Sequence, residues 1–393
     1  MEQKIYLDNA ASTRVRPEVL EAMMRFFSED YANPSGVYGA ANLAKAAIDE
    51  AKGKIAECLG AANSEIYFTG SGTESINWAI KATAGGNPCH IITSVIEHHA
   101  VLHTCQYLEK NGFDITYLPV DKHGLVNPAD LEAAVRPETI LVTIMLANNE
   151  IGTFMPISEI GTVLKEINAK RKADKMQEIL FHTDAVQALG HIPIDVAKLG
   201  VDMLSVSAHK VYGPKGVGAL YVRRNTRLPA FIHGGGQERG RRAGTENVAG
   251  IVGFGLAAQL ACAEMDKEAK RLAALRDDFI GKILEIVPHA HLNGHPKLRL
   301  PGNINITFDF IEGEGILLLL DVAGFLASSG SACTSGTLDP SHVIMALGTP
   351  AERAHGSLRI TLGRYNTQED MDKLLAALPP IIERLRRMSP IYS

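Results

Sequence analysis

Between about residues 60 and 225, short apolar runs alternate with longer stretches of helical pattern. Helical periodicity lies over 74–84, 100–111, 128–135 and 158–169, mostly between these runs. This alternation predicts an α/β fold in which a mostly parallel, seven-stranded sheet is covered by helices on both faces. The predicted strands are EIYFTG, HIITS, DITYLPV, ILVTIML, ILFHTDA, DMLSVSA and GALYVRR.

The pattern changes after a long helical stretch over 248–284. Past Pro288 it consists of short strands, such as NINITFDF and SLRITLG, and two helices, which predicts a smaller α+β domain. We expect a large domain over 16–260 and a small domain made of 1–15 and 261–393. A chain of 393 residues is long enough for this division.

Composition and charge exclude several classes of protein. With 46% hydrophobic residues and 21% charged residues, the chain has the composition of an ordinary globular protein. Its net charge of −5 gives no indication of a nucleic-acid-binding surface, which is normally basic. The longest apolar segment, 248–258, is shorter than the ~20 residues that span a bilayer. The first residues lack the basic and apolar blocks of a signal peptide. We therefore expect a cytoplasmic protein without a membrane partner.

Five cysteines occur without a CxxC pair, which argues against a disulfide framework or a zinc finger. Cys58, Cys105 and Cys262 lie in amphipathic helical patterns, as buried structural cysteines do. Cys333 differs, because it lies in SSGSACTSG, a run of small polar residues that predicts a loop over about 326–338. This exposed thiol requires another explanation.

Strand ends are the places to look for ligands in a parallel sheet. GSGTES, residues 70–75, follows the first predicted strand and begins a helix, as an anion site would. Helix capping by Ser71 or Thr73 explains the same residues equally well.

Two further strand ends carry an acid and an amine. Asp184 and Gln187 lie in HTDAVQ, and Lys210 follows a buried strand in SAHKVYGPKGVG, 26 residues after Asp184. Pyridoxal phosphate needs an amine for its Schiff base, a carboxylate for its ring nitrogen and a glycine-rich helix start for its phosphate. These three strand ends together predict a pyridoxal-phosphate site.

Nearly the whole chain resembles the pyridoxal-phosphate-dependent cysteine desulfurases of the NifS/IscS type, which are fold-type I enzymes related to the class V aminotransferases. The resemblance rests on motifs in a specific order. They are YLDNAAST, NPSG, FTGSGTES, EHHAVL, NNEIG, HTDAVQ, SVSAHKVYGPKGVG, GGGQERGRRAGTENV, SSGSACTSG and SLRITLG.

The resemblance implies a role for each matching residue. Lys210 forms the Schiff base, Asp184 pairs with the pyridine nitrogen, and Gln187 bonds the phenolic oxygen. His98 stacks on the ring and moves protons. The phosphate is held by Gly72, Thr73, Ser207 and His209, with Thr245 reaching the phosphate of a neighbouring subunit.

The same resemblance assigns the substrate side. Arg359 binds the carboxylate of L-cysteine, Asn149 lies near both ring and carboxylate, and Asn33 adds a hydrogen bond. Cys333 attacks the substrate sulfur, releases L-alanine and keeps a persulfide. A cationic His98 would raise the thiolate fraction of Cys333.

The implied partners are a second copy of the chain and an iron–sulfur scaffold or other sulfur acceptor. No intrinsic metal is expected, although Cys333 could ligate an iron–sulfur cluster transiently. RRAGTENVAG and the short C-terminal end resemble the nitrogen-fixation branch. The alternatives are a selenocysteine lyase, an aminotransferase, for which the Cys333 loop has no use, and an inert sulfur or cluster scaffold, which would not need the Lys210–Asp184 pair.

Overall fold

The computed structural model describes residues 4–85, 88–329, 340–390 and 392. The strands are β1 Ile5–Tyr6, β2 Ile66–Thr69, β3 His90–Ser94, β4 Asp114–Leu118, β5 Thr139–Thr143, β6 Leu180–Asp184, β7 Met203–Ser207, β8 Gly218–Val222, β9 Ala290–Leu292, β10 Asn303–Phe308, β11 Phe325–Leu326 and β12 Ser357–Thr361. The α-helices are α1 Pro17–Ser28, α2 Gly39–Leu59, α3 Gly72–Ala84, α4 His99–Glu109, α5 Pro128–Ala134, α6 Ile157–Ala173, α7 Val196–Leu199, α8 Val248–Ile286, α9 Gly313–Val322, α10 His342–Ala346, α11 Ala351–Ala354 and α12 Gln368–Met388.

The central sheet has seven strands in the order β2-β8-β7-β6-β5-β3-β4, which confirms the predicted α/β fold. Each of the seven apolar runs forms one of these strands. The five strands from β7 to β4 are parallel to their neighbours, whereas β8 is antiparallel to both β7 and β2. The carboxyl ends of the five parallel strands therefore meet at one edge.

Helices cover both faces of this sheet. Successive residues of a strand point to opposite faces, so apolar residues in a continuous run must be buried on both sides. Ile66 and Phe68 belong to a core on one side that includes Phe254 of α8. Tyr67, between them, belongs to the core on the other side, together with Trp78 of α3. Both cores exclude water, since Phe254 and Trp78 are 0% exposed.

A second sheet, ordered β12-β10-β9, is antiparallel and lies in the C-terminal part of the chain. Its core is separate and contains Phe308, Leu358 and Leu374. Leu7 also belongs to this core, and β1 pairs with β11, so the N-terminal residues join the smaller body.

Helix α8 is shared by the two bodies. Its first half contributes Phe254 and Ala258 to the core of the large sheet, and its second half contributes Leu275 and Phe279 to the core of the small sheet. The predicted boundary near residue 260 therefore falls inside one continuous helix.

Helix α8 is long and apolar enough, by length and composition alone, to cross a membrane. Its apolar part therefore extends beyond the segment 248–258 that the sequence pattern indicated. Half of its apolar window is buried inside the fold, as expected for a core helix that packs on α1 and α2.

The start of α3 is held against β8 by backbone contact. A Cβ atom added to Gly218 would lie 2.6 Å from the carbonyl carbon of Ser71 and 2.9 Å from the nitrogen of Gly72. Only glycine lets these two backbones approach so closely. The position of the α3 N-terminus therefore depends on Gly218.

We expect Gly218→Ala to destabilise the fold by about 1–3 kcal/mol, because the added methyl group must displace backbone. Urea unfolding followed by circular dichroism measures this effect. Gly39→Ala is the matched control, since an added Cβ there meets nothing within 4 Å. Equal stability of the two variants would contradict the close-packing account.

Candidate active site

A cavity of about 280 Å³ lies at the carboxyl ends of the parallel strands. Segments that follow β2, β3, β5, β6 and β7 line it, together with the N-terminal segment and β12. The cavity brings together ten residues that sequence analysis selected. They are Gly72, Thr73, His98, Asn149, Asp184, Gln187, Ser207, His209, Lys210 and Arg359.

Lys210 lies in a single turn of 3₁₀ helix, Ala208–Lys210, directly after β7. Its Nζ donates hydrogen bonds to the carbonyl oxygens of Ala10 and Ala11 at 2.5 and 2.8 Å. The amine is thus aimed by the N-terminal segment and lies in the cavity with Asp184. The sequence indicates no role for Ala10 or Ala11, because a main-chain carbonyl leaves no signal in residue type.

Asp184 is the last residue of β6, and its side chain is 6% exposed. Burial raises the pKa of Asp184 to about 6, although Oδ1 accepts a hydrogen bond from the Val186 backbone and the Lys210 charge opposes the shift. A buried carboxylate of this kind is stabilised by a cationic partner. Gln187 lies beside it and donates to the Ala10 carbonyl at 2.9 Å.

His98 caps α4 with its Nδ1, which accepts a hydrogen bond from the Ala100 backbone at 3.0 Å. Burial and the charge of Lys210 lower the pKa of His98 to about 4. The imidazole is therefore neutral at pH 7 and carries its proton on Nε2. The expectation that a cationic His98 raises the thiolate fraction of Cys333 is wrong for this state of the site.

Helix α3 begins at the wall of the cavity. Ser71 is its N-cap, with the side chain accepting a hydrogen bond from the Glu74 backbone at 3.1 Å. The backbone N–H groups of Gly72 and Thr73 have no acceptor within the helix and belong to cavity-lining residues. The two interpretations of GSGTES are compatible, since capping by Ser71 leaves these donors available to an anion.

Steric crowding also explains why position 72 is a glycine. A Cβ atom there would lie 2.8 Å from the Val186 side chain and 3.4 Å from Ser207. His209, at the same end of the cavity, has its pKa lowered to about 4 by burial and by the charges of Lys210 and Lys215. A neutral His209 can donate a hydrogen bond to an anion.

Arg359 on β12 is 4% exposed and lies opposite the strand ends. Its guanidinium donates to Asp8 at 2.8 Å and to the Asn149 carbonyl at 3.1 Å. Its Nε is buried and has no hydrogen-bond partner in the described part of the chain. A buried donor without a partner is costly, and the carboxylate of a small ligand would satisfy it.

Two predicted residues, Thr245 and Asn33, lie elsewhere. Thr245 is exposed and lines a separate pocket of about 140 Å³ between Arg242 and the end of β2. Asn33 lies in an exposed turn, where its side chain accepts a hydrogen bond from the Ser35 backbone at 2.9 Å. Cys333 lies outside the described residues.

The cavity fits pyridoxal phosphate on the chemistry of its donors. It combines an amine, a buried carboxylate whose pKa is raised, a neutral imidazole and an open helix N-terminus. Lys210 would hold the aldehyde group, Asp184 the ring nitrogen, and the start of α3 the phosphate. The fold and this donor set define the class of fold-type I pyridoxal-phosphate enzymes.

The chain belongs to the aminotransferase class-V family, whose sequence pattern matches residues 5–374, and this family uses pyridoxal phosphate. It is 55% identical to the cysteine desulfurase IscS of Methanosarcina thermophila, over 98% of this chain and 94% of that protein. It is 53% identical to the cysteine desulfurase IscS of Dictyoglomus turgidum, over 99% and 97%.

Solved structures agree with the sequence comparison. A NifS-like protein superposes with a TM-score of 0.90 at 40% identity, covering 98% of this chain and all of that one. SspA in complex with cysteine superposes with a TM-score of 0.80 at 40% identity, covering 92% of this chain and 100% of its own.

Asp184→Asn should raise the stability of the cofactor-free protein at neutral pH while weakening cofactor binding. Because burial raises the pKa of Asp184 from 3.8 to about 6, its ionisation destabilises the folded state as the pH rises from 4 to 7. We expect a gain of about 1–3 kcal/mol at pH 7.5 that shrinks towards pH 4, measured by urea unfolding. A variant less stable than wild type at pH 7.5 would contradict this account.

Proposed function

We propose that this protein is a cysteine desulfurase that uses pyridoxal phosphate to remove sulfur from L-cysteine. L-Alanine is released, and the sulfur stays on Cys333 as a persulfide for iron–sulfur cluster assembly. The observation that carries the proposal is the single cavity that contains Lys210, Asp184, His98 and Arg359. The relatives named cysteine desulfurase support the same reaction.

Pyridoxal phosphate, when bound, supplies an electron sink for the charge that develops on the substrate α-carbon. Asp184 keeps the ring nitrogen protonated, since this buried carboxylate is stabilised by a cation. His98, in its neutral form, would cover the ring, and Gln187 would bond the phenolic oxygen. Lys210 would hold the aldehyde group, and its amine would carry the proton of the substrate α-carbon.

The phosphate is held at the end of the cavity where α3 begins. Gly72 and Thr73 supply backbone N–H groups, and the helix dipole favours the negative charge. Ser207 and His209 complete this end with a hydroxyl group and a neutral imidazole. The cavity-lining positions of all four residues support these roles.

Arg359 binds the carboxylate of L-cysteine through its Nε, which has no partner among the described residues, and orients the substrate across the cavity. Asn149 is fixed beside it, because the Arg359 guanidinium donates to the Asn149 carbonyl. Asn33 lies in an exposed turn, so its proposed hydrogen bond to the substrate requires this turn to approach a site, for example that of a second subunit.

Cys333 is the proposed nucleophile. Its thiolate attacks the substrate sulfur, the carbon–sulfur bond breaks, and a proton replaces sulfur on the β-carbon. The acceptor is an iron–sulfur scaffold or another sulfur-accepting protein, and Cys333 ligates a cluster only transiently. The reducing cytoplasm, our proposed location, keeps such a thiol available. RRAGTENVAG supports nitrogenase clusters as one destination.

A homodimer is the proposed assembly, supported by apolar side chains on the surface. Leu20, Met24 and Phe27 of α1 are 51%, 56% and 61% exposed, although Val19 and Met23 on its other face are buried. The residues that follow α1 in the chain include further exposed apolar side chains, namely Tyr31, Val37, Tyr38 and Leu43. Apolar patches of this kind mark protein–protein contacts. Thr245, which lies outside its own cavity, then reaches the phosphate of the neighbouring subunit.

Cys333→Ser should keep the visible absorbance of the bound cofactor but stop alanine formation from L-cysteine, because a hydroxyl group cannot accept sulfur. Alanine release and absorbance measure the two effects. Cys262→Ser is the matched control and should retain activity. Alanine release at the wild-type rate from Cys333→Ser would overturn the nucleophile assignment. A competing selenocysteine lyase would use selenocysteine and leave L-cysteine intact.

Met24→Asp combined with Phe27→Asp should convert the dimer to monomers and reduce cofactor occupancy, because Thr245 loses its target. Sedimentation measures the mass, and absorbance measures the cofactor. Glu21→Gln, an exposed change on the same helix, should leave the mass unchanged. A double variant that remains dimeric would contradict this interface.

A further inference from the structure

Glu150 is a buried carboxylate with no role in the cavity. It lies in the turn that follows β5, next to Asn149, and is 3% exposed without lining the cavity itself. Burial raises its pKa, although the hydrogen bond from Ser341 and the charge of Arg359 oppose the shift. Such a group is retained at a cost, so its contacts need an explanation.

The carboxylate has one strong contact, with Ser341. The Ser341 hydroxyl donates to Glu150 Oε2 at 2.5 Å, and Ser341 is itself 3% exposed. The same hydroxyl accepts a hydrogen bond from the Ile344 backbone at 3.3 Å as the N-cap of α10. Val343 and Ile344 are 0% exposed in the core of the large sheet. Glu150 therefore holds the start of α10 on the large body.

The turn that carries Glu150 is built to stay in place. The side-chain oxygen of Asn148 accepts hydrogen bonds from the backbones of Glu150 and Ile151 at 2.8 and 2.9 Å. The Glu150 carbonyl accepts from Asn303 and Asn305 of β10 at 3.0 and 3.1 Å. Both sheets thus fix this turn.

The chain before Cys333 is fixed at a neighbouring point. Ser328 and Arg359 exchange backbone hydrogen bonds of 3.2 and 2.6 Å, and the Arg359 side chain donates to the Asn149 carbonyl. Ser328 precedes Cys333 by five residues, and Ser341 follows it by eight. Both attachments converge on Asn149 and Glu150, beside the substrate end of the cavity.

We propose that Glu150 is a positioning residue for sulfur transfer, because its hydrogen bond from Ser341 fixes one end of the segment that delivers Cys333. The proposal rests on the proposed function. It assigns Glu150 to attack on the substrate sulfur and not to cofactor or substrate binding. Misplacing a reacting group by about 1 Å can cost about a hundredfold in rate.

Ser341→Asp separates this anchor from helix capping. Aspartate caps a helix as well as serine does, but it sets a second carboxylate against Glu150. We expect alanine release in a single turnover to slow by about tenfold or more, while cofactor absorbance and the KM for L-cysteine stay unchanged. Glu150→Gln in the Ser341→Asp background should restore the rate, because the new amide donates to the aspartate.

Wild-type rates in Ser341→Asp, or a loss that Glu150→Gln does not rescue, would overturn the proposal. Should Ser341→Asp not fold, Glu150→Gln and Glu150→Ala form the test in the natural Ser341 background. Glutamine keeps an acceptor and should retain the rate, whereas alanine should slow it tenfold. Equal rates would overturn the anchor. Wild-type protein that makes no alanine would overturn the proposed function, and the anchor with it.

Discussion

The segment from Asp8 to Thr13 is the constraint on which the site depends, because it hydrogen-bonds to both bodies of the protein. On one side, Asn9 donates to the carbonyl of Thr361 at 2.8 Å and Asp8 pairs with Arg359. On the other side, Thr13 donates from its backbone to the His209 carbonyl at 2.9 Å. Between these points the chain presents the carbonyls that hold Lys210. This crossing therefore links the amine to the guanidinium across the cavity, in addition to helix α8 and the turn at Asn149 and Glu150.

The site holds polar groups that the described part of the protein does not satisfy. The Arg359 Nε has no partner in the described residues, and burial raises the pKa of Asp184. Glu97 directly precedes His98 in the chain, and its Oε2 lacks a partner among the described residues. Burial raises the pKa of Glu97 to about 8. Each of these groups costs stability until a ligand or a proton compensates it. Binding then returns this free energy, since a ligand that binds the folded state alone stabilises it.

Much of the fold can be predicted from the pattern of apolar residues in the sequence. A strand that is buried on both faces needs a continuous apolar run, whichever strands lie beside it in the sheet. The seven runs therefore appear as the seven strands. The direction of each strand cannot be predicted from the apolar pattern. Strand β8 is antiparallel to its neighbours, although its apolar run is similar to those of the parallel strands. The charged stretch 165–178 forms a helix end and a loop, as its sequence predicts. Arg171 within it is nevertheless buried and donates hydrogen bonds to four backbone carbonyls. Charge alone predicts a solvated side chain there, since the carbonyls that satisfy Arg171 are invisible in the sequence.

The same contrast holds at the site. Asp184 and Lys210 could be selected because acid and amine follow strands, and their chemistry depends on residue type. The carbonyls of Ala10 and Ala11 could not, since any residue supplies a carbonyl. Glu150 could not be selected from the sequence, because its proposed role depends on Ser341, almost two hundred residues further along the chain. The roles predicted for Thr245 and Asn33 involve the site of a second subunit and stay predictions. Cys333 lies outside the described residues.

The fate of the substrate sulfur distinguishes transfer through Cys333 from any other route. The purified wild-type protein is mixed with one equivalent of L-cysteine that carries ³⁵S, and the reaction is stopped with an alkylating reagent and digested. The account predicts label on the peptide that contains Cys333, released by a reductant, in equal amount to the alanine formed. Label on another cysteine, or alanine formed without labelled protein, would contradict it.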